Sequence, residues 1–185
     1  MLSALWSVDE MLAPIERAIR TDRVTALAAA LARLDEAGAF DDPALFASPL
    51  PHRYARRPIA CDPLGRFVVL AMSWAPAQSS PLHDHAGLWG AEIVVAGTMR
   101  EKTFRLIERD GRDRYRFSPE RERVAAKGEV GIVIPPLEYH EFGNAGDTPA
   151  RTVHVYAGDL RRCRSYVAGE DGAWRARVAE LPADA

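Results

Sequence analysis

From about residue 52 onward, the chain is a succession of short apolar segments separated by turn signals, with no helical pattern between them. The turn signals are rich in glycine, proline, asparagine and aspartate, as at 62–65, 127–128 and 143–146. Closely spaced strands without intervening helices predict an all-β sandwich or barrel. The predicted strands are 66–74, 91–95, 98–107, 122–126, 130–134, 141–142, 151–156 and 174–178.

Residues 1–48 have a different pattern, which is typical of helices. Ser7 and Glu10 match a capping box, and Thr21 with Asp22 begins a second segment whose apolar residues recur at helical spacing until Gly38. Two helices alone cannot bury an apolar face, so we expect residues 1–48 to pack as a helical cap on a β-barrel of residues 49–185. The 185 residues suffice for one structural domain.

Composition excludes several classes of function. The net charge of −2 gives no general surface for nucleic acid or anionic membranes. No apolar run approaches the ~20 residues of a membrane span, and the N-terminus is too short and too acidic for a secretory signal. Cys61 and Cys163 form no disulfide framework, which favours a reducing cytosol and a cytoplasmic protein. The basic run at 161–164 is interpreted as a solvated face.

A His-x-His pair carries the chemistry of this sequence. In a β-strand, His83 and His85 would project to the same side, roughly 7 Å apart, with Asp84 on the other side. A third histidine, His140, follows a Pro-Pro bend. Three neutral imidazoles bind a first-row divalent ion and leave coordination positions open, whereas structural zinc usually takes four ligands, often thiolates. The pattern therefore favours a catalytic metal site.

The spacing around these histidines resembles the cupin superfamily. A glycine, Gly97, follows the pair, and a downstream His-x₃-Asn ends at Asn144. The carboxylate ligand of the general cupin pattern would fall near residues 89–90, where the chain has Trp-Gly. Its absence resembles the cysteine dioxygenase (thiol dioxygenase) family, in its bacterial branch. The resemblance implies a double-stranded β-helix, or jelly-roll, barrel and Fe(II) held by His83, His85 and His140.

The resemblance extends over roughly residues 50–160 and includes a binding motif for a carboxylate. Tyr54 and Arg56 match the family's Tyr-x-Arg, which implies that both bind the carboxylate of the substrate. A guanidinium suits this task because its planar fork can pair with both carboxylate oxygens. Arg57, next in the chain, leaves a second assignment of the clamp open, and Arg56 is the one we favour.

A third motif lies near the end of the resemblance. Thr152, His154 and Tyr156 match the family's Ser-x-His-x-Tyr, with threonine in place of serine, and alternation places all three on one strand face. The resemblance implies that they form a hydrogen-bonded line beside the metal. The cysteine that cross-links to the tyrosine in animal enzymes aligns with Gly90, so no such cross-link is expected. Flanking residues are similar to bacterial 3-mercaptopropionate dioxygenases.

Together these motifs imply a thiol dioxygenase that oxidises cysteine or 3-mercaptopropionate with O₂ to the sulfinic acid. Its partners would be the small thiol and O₂, in a monomer or a homodimer. Two alternatives stay open: another three-histidine cupin metalloenzyme, such as a carbon–carbon cleaving dioxygenase, and a non-catalytic cupin that binds a small molecule. The first alternative would not need the Arg56 clamp or the line of Thr152, His154 and Tyr156, and the second would be expected to have a DNA-binding or signalling partner domain.

Overall fold

The computed structural model describes residues 6–21, 23–111, 113–136 and 139–184 of the chain. Two helices, α1 (Val8–Ile19) and α2 (Val24–Glu36), precede a short 3₁₀ turn at Pro43–Leu45. Ten strands follow: β1 (Ala55–Cys61), β2 (Val68–Trp74), β3 (Gly90–Ala96), β4 (Thr98–Asp110), β5 (Arg114–Ala126), β6 (Val130–Val133), β7 (Tyr139–Asn144), β8 (Ala150–Tyr156), β9 (Arg162–Ala168) and β10 (Trp174–Glu180).

The strands form two five-stranded antiparallel sheets. One has the order β1-β2-β8-β3-β6 and the other β7-β4-β5-β10-β9. This arrangement confirms the expected all-β cupin fold. Alternation along β8 divides the core, because Val153 and Val155 face the helices while Thr152, His154 and Tyr156 face the barrel interior.

The helices cover the outer face of the first sheet. Leu27, Leu31 and Leu34 of α2 are buried in one cluster with Ile93 of β3 and Val153 of β8. Complete burial of each such side chain stabilises the fold by about 1.5–3 kcal/mol. The expected N-terminal helical cap is therefore present, while the domain boundary at residue 48 stays a prediction.

The predicted helix ends agree with the structure in part. The Ser7–Glu10 capping box is formed, with the Ser7 hydroxyl accepting from the Glu10 N–H. Helix α2 begins at Val24 without a side-chain cap and ends two residues before Gly38. Asp22 lies outside the described residues. Among the described residues, no helix combines the length and the apolar character that crossing a bilayer requires.

Two strands were missed in the sequence because their composition is polar. Strand β1 (ARRPIAC) carries charges and Pro58, which an edge strand tolerates because one of its sides has no partner. Strand β9 is the other, and its start coincides with the basic run that was interpreted as a solvated face. The arginines of that run are exposed, as expected, whereas Cys163 between Arg162 and Arg164 is buried. Cys163 and the exposed Cys61 are both free thiols.

Candidate metal centre and substrate cavity

Two of the histidines are joined through their backbones. The His83 N–H donates to the His140 carbonyl at 3.1 Å, and the His140 N–H donates to the His83 carbonyl at 3.3 Å. The expectation that His83 and His85 lie in a regular strand is wrong, because His83, in the connection between β2 and β3, forms only isolated bridges to His140 of β7 and Ser165 of β9. The segment is bounded by Pro81 and by a turn at residues 86–87, which prevents a longer ladder.

The three imidazoles nevertheless converge. The ring centroids of His83, His85 and His140 are 4.7–4.9 Å apart, and one ligand nitrogen from each lies within 4.8 Å of the others. His85 is fully buried, and His140 nearly so. Burial, together with the neighbouring His140, lowers the pKa of His83 well below its ordinary value. A neutral imidazole is the form that binds a metal ion.

Two of the rings are oriented by hydrogen-bond partners. His83 Nδ1 lies 3.0 Å from the Pro81 carbonyl, and His140 Nδ1 lies 3.3 Å from Glu101 Oε1. Arg123 Nε donates to the other oxygen of Glu101. These contacts occupy Nδ1 and leave Nε2 of both rings for a metal ion, as in many histidine metal sites. The donor set therefore fits a first-row divalent ion.

Charge is shared within this group of side chains. Burial raises the pKa of Glu101, but the hydrogen bonds with His140 and Arg123 outweigh that effect and lower it. Burial lowers the pKa of His140, but the hydrogen bond with Glu101 and the charges on Glu92 and Glu101 outweigh that effect and raise it. The candidate metal-binding residue His140 therefore lies near two acidic side chains, Glu92 and Glu101.

Asp84 points away from the histidines, as the alternation predicted. Its carboxylate accepts from the Tyr166 hydroxyl at 3.0 Å and from the Arg164 backbone N–H at 2.8 Å. Both partners are on β9. Asp84 thus connects the His-x-His segment to the second sheet through hydrogen bonds. The sequence did not indicate this connection, because strand β9 was not recognised.

A cavity of about 230 Å³ opens beside the histidines. It is smaller than the roughly 300–1,000 Å³ of sites for drug-sized ligands, which indicates a small ligand. Tyr54 lines it with its ring stacked on Trp74 at 4.1 Å. The residues that line the cavity include Tyr54, Arg56, Leu70, Met72, His83, His85, Tyr156, Leu160, Cys163 and Leu181.

The structure places Arg56, and not Arg57, at this cavity. Arg56 is only 7% exposed, and its guanidinium donates to the carbonyls of Leu160 and Leu181 at 2.5 and 3.0 Å. A guanidinium has five N–H donors, and two of them make these hydrogen bonds, so three are left for a ligand in the cavity. Arg57 is half-buried and donates to the Ala44 carbonyl, away from the cavity.

The segment after β10 completes the cavity wall. Asp184 accepts two hydrogen bonds from the Arg53 guanidinium, at 2.6 and 2.7 Å. Asp184 also exchanges hydrogen bonds with the Arg56 backbone, since its carboxylate accepts from the Arg56 N–H and its own N–H donates to the Arg56 carbonyl. Three residues earlier, the Leu181 carbonyl accepts from the Arg56 guanidinium. The sequence contains no signal for this contact between distant segments.

The three residues predicted on one strand face form a buried hydrogen-bonded line. The Trp74 indole N–H donates to Thr152 Oγ1 at 3.0 Å, and that oxygen lies 2.8 Å from His154 Nε2. His154 Nδ1 lies 3.2 Å from the Tyr156 hydroxyl and 3.1 Å from Glu92 Oε2. Tyr156 reaches the cavity, with its ring 5.2 Å from that of His85.

The comparisons with known proteins identify a family. The family model described as "Cysteine dioxygenase type I" matches residues 10–168. The chain belongs to the cysteine dioxygenase type I family.

The named relatives and the solved structures are distant. The cysteine dioxygenase type 1 proteins of Homo sapiens and Danio rerio are each 22% identical, over 124 and 116 residues. The matches cover 66% and 62% of this chain but only 60% and 56% of those relatives. A Klebsiella pneumoniae protein with a double-stranded β-helix domain has a TM-score of 0.45 at 20% identity, covering 62% of this chain and 85% of that chain.

This cysteine dioxygenase family member has no room for a side chain at residue 90. A Cβ built on Gly90 would lie 2.8 Å from Tyr156 Cδ1 and 3.3 Å from Tyr156 Cα, and closer still to the Val155 carbonyl. A side chain there would require the backbone of β8 to move. The close packing of β3 on β8 explains why the chain has glycine at this position.

All eight predicted site residues lie around one region of this family member, and three further charged residues join them. Glu92, Glu101 and Arg123 were missed in the sequence. A charge inside the apolar segment of β3 was the available signal for Glu92. Glu101 and Arg123 lie on strands rich in charge, where an inward-facing side chain does not stand out.

Proposed function

We propose that this protein is a non-haem iron(II) thiol dioxygenase that converts a small carboxylated thiol, cysteine or 3-mercaptopropionate, with O₂ to its sulfinic acid. Membership of the family and the three-histidine group support the class of reaction. One observation supports the substrate class: Arg56 borders the same small cavity as His83 and His85, whose rings lie next to that of His140. Such a cavity can hold a carboxylate at one end and a sulfur atom at the other.

The residues have distinct tasks in this proposal. Nε2 of His83 and of His140, together with His85, would hold the iron. Bound iron would supply a coordination site for the thiolate and the electron transfer that activates O₂. Arg56 would pair with the carboxylate of the substrate, and Tyr54, stacked on Trp74, would fix one side of it.

The remaining residues position the reacting groups. Thr152, His154 and Tyr156 would hold a hydroxyl at the cavity wall for hydrogen bonding to the substrate. Leu70, Met72 and Leu160 line the cavity with apolar surface and limit water near the sulfur atom. The reaction balances without another reductant, because the thiolate sulfur gives up the four electrons that O₂ takes up and both oxygen atoms end on sulfur.

Oxygen consumption by the iron-loaded full chain tests the proposal. The substrates are cysteine, 3-mercaptopropionate, mercaptosuccinate and cysteamine, and the product is identified as the sulfinic acid by mass spectrometry. We expect turnover of at least one carboxylated thiol and loss of iron and turnover in His140→Ala. A protein that binds iron but consumes no O₂ with any of these thiols would contradict the proposal.

A further inference from the structure

Glu92 is a buried carboxylate in an otherwise apolar stretch of β3. It is 3% exposed, and its neighbours in the strand are alanine, isoleucine and valine. In the sheet it pairs with His154 on β8, and its Oε2 lies 3.1 Å from His154 Nδ1. A buried charge is costly unless it is compensated, so a carboxylate at this position requires an explanation.

The fold makes space for this carboxylate and places a positive charge near it. Glu92 also pairs with Gly131 on β6, on its other side. A Cβ at residue 131 would lie 3.0 Å from Glu92 Oε1 and 2.9 Å from Arg123 Nη2. Glycine therefore leaves the space that Glu92 and Arg123 share. The charge on Glu92 contributes to the raised pKa of Arg123, alongside the hydrogen bond with Glu101 and against the effect of burial.

The neighbours of the ring restrict where the proton of His154 lies. Glu92 Oε2 has no aligned hydrogen bond among the described residues, but a carboxylate oxygen 3.1 Å from Nδ1 would repel a lone pair there and so favours a hydrogen on Nδ1 of His154. Nε2 of the neutral ring is then an acceptor. Thr152 fits this arrangement, because its oxygen accepts from the Trp74 indole and its own hydrogen can go to Nε2 at 2.8 Å.

We propose that Glu92 is a positioning residue that holds the proton of His154 on Nδ1 and so leaves the hydroxyl hydrogen of Tyr156 free to donate into the cavity. With Nδ1 protonated, Tyr156 can only accept from His154. Without Glu92, Nδ1 could instead accept from Tyr156, whose hydrogen would then point away from the substrate. The consequence for catalysis rests on the proposed function, whereas the position of the proton is a property of the metal-free protein.

Nitrogen-15 NMR of histidine-labelled, metal-free full chain measures the position of the proton, with the His154 signals assigned through a His154→Asn variant. We expect Nδ1 protonated and Nε2 bare in the wild type. Glu92→Gln keeps this tautomer, since an amide oxygen in the same place also favours a hydrogen on Nδ1. Glu92→Met removes that oxygen and yields Nε2–H or a mixture. Asp35→Asn, which changes a buried carboxylate on α2, serves as the matched control and keeps the wild-type tautomer.

A wild-type His154 protonated on Nε2, or an unchanged tautomer in Glu92→Met, would overturn the inference. Replacing a buried charge by an apolar side chain of similar size is often neutral or stabilising, so we expect Glu92→Met to fold. If it does not fold, the wild-type tautomer still decides.

Steady-state kinetics of the iron-loaded protein provide the second readout. We expect Glu92→Met to lower kcat about 10- to 100-fold, the usual range for a lost outer-shell partner, with little change in KM, and Glu92→Gln to restore part of the loss. A raised KM with unchanged kcat would overturn the catalytic part. If the wild type oxidises no thiol, the proposed function fails while the NMR result still stands.

Discussion

Arg56 offers the sharpest test of how this cavity binds its ligand. Arg56→Ala removes the guanidinium that lies between the carbonyls of Leu160 and Leu181. A hydrogen bond to a charged group contributes about 1.5–3 kcal/mol, and 1.36 kcal/mol corresponds to a tenfold change. We therefore expect KM for a carboxylated thiol to rise about 10- to 150-fold. kcat stays close to the wild-type value if Arg56 binds the ground state and the transition state equally.

The assay is oxygen consumption by iron-loaded protein at varied thiol concentration. Cysteamine is the matched substrate because it lacks the carboxylate, so its KM should change little in Arg56→Ala. Arg57→Ala is the matched variant, since Arg57 contacts the Ala44 carbonyl outside the cavity. The reasoning is refuted if Arg56→Ala leaves KM for the carboxylated thiol unchanged, or if Arg57→Ala raises it equally.

The variant also has a cost in stability that must be measured separately. Loss of the guanidinium leaves the carbonyls of Leu160 and Leu181 without this donor, and each unsatisfied buried group costs about 1–3 kcal/mol. Urea unfolding of both variants monitors this cost. A folded Arg56→Ala at the assay temperature is required before its KM is interpreted.

Three further predictions concern other parts of the site. Gly90→Cys should lower the midpoint of thermal unfolding, measured by calorimetry, because a Cβ at residue 90 would lie 2.8 Å from Tyr156 Cδ1. For the same reason it should not form a thioether with Tyr156, which mass spectrometry checks. Glu101→Gln should weaken iron binding about 10- to 100-fold, because Glu101 orients His140; a chelator competition measures it. The hydrogen bond from Arg53 lowers the pKa of Asp184 below its ordinary value of 3.8, so the ionised carboxylate stabilises the folded state. Asp184→Asn should therefore lower the free energy of unfolding by about 1 kcal/mol or less at pH 7. This difference should vanish as the pH falls through the lowered pKa of the folded state.

Each of these has a contrary outcome. A mass loss of two hydrogens in Gly90→Cys would show that β3 and β8 can separate. An iron affinity of Glu101→Gln equal to that of the wild type would show that the backbone hydrogen bonds with His83, and not Glu101, orient His140. A stability difference for Asp184→Asn that grows at acid pH would contradict the sign derived from the pair with Arg53.

The elements that were predicted correctly from the sequence are those with one dominant signal. Strands β2, β3 and β8 are long apolar segments, so their positions were predicted within two residues. The Thr152–Tyr156 face followed from alternation alone. The family resemblance supplied Tyr54 and Arg56, whose own strand β1 was not recognised.

What was missed depends on contacts between distant segments. Strand β9 is polar because it lies at a sheet edge, and only burial of Cys163 and Tyr166 distinguishes it from a loop. Glu92 and Arg123 are separated by 31 residues and meet only because β3 pairs with β6 beside Gly131. The sequence pattern around a single residue cannot indicate which distant charged residue the fold will place beside it.

The contacts of Asp184 and Leu181 with Arg53 and Arg56 have a consequence for local stability. The segment is held by a few hydrogen bonds at the cavity rim, whereas β2 and β8 are buried on both faces, so its amides should exchange with solvent well before those of the central strands. A carboxylate that pairs with Arg56 would stabilise the arrangement in which Leu181 and Asp184 contact Arg56. By linkage, ligand affinity and amide protection of residues 181–184 should then rise and fall together.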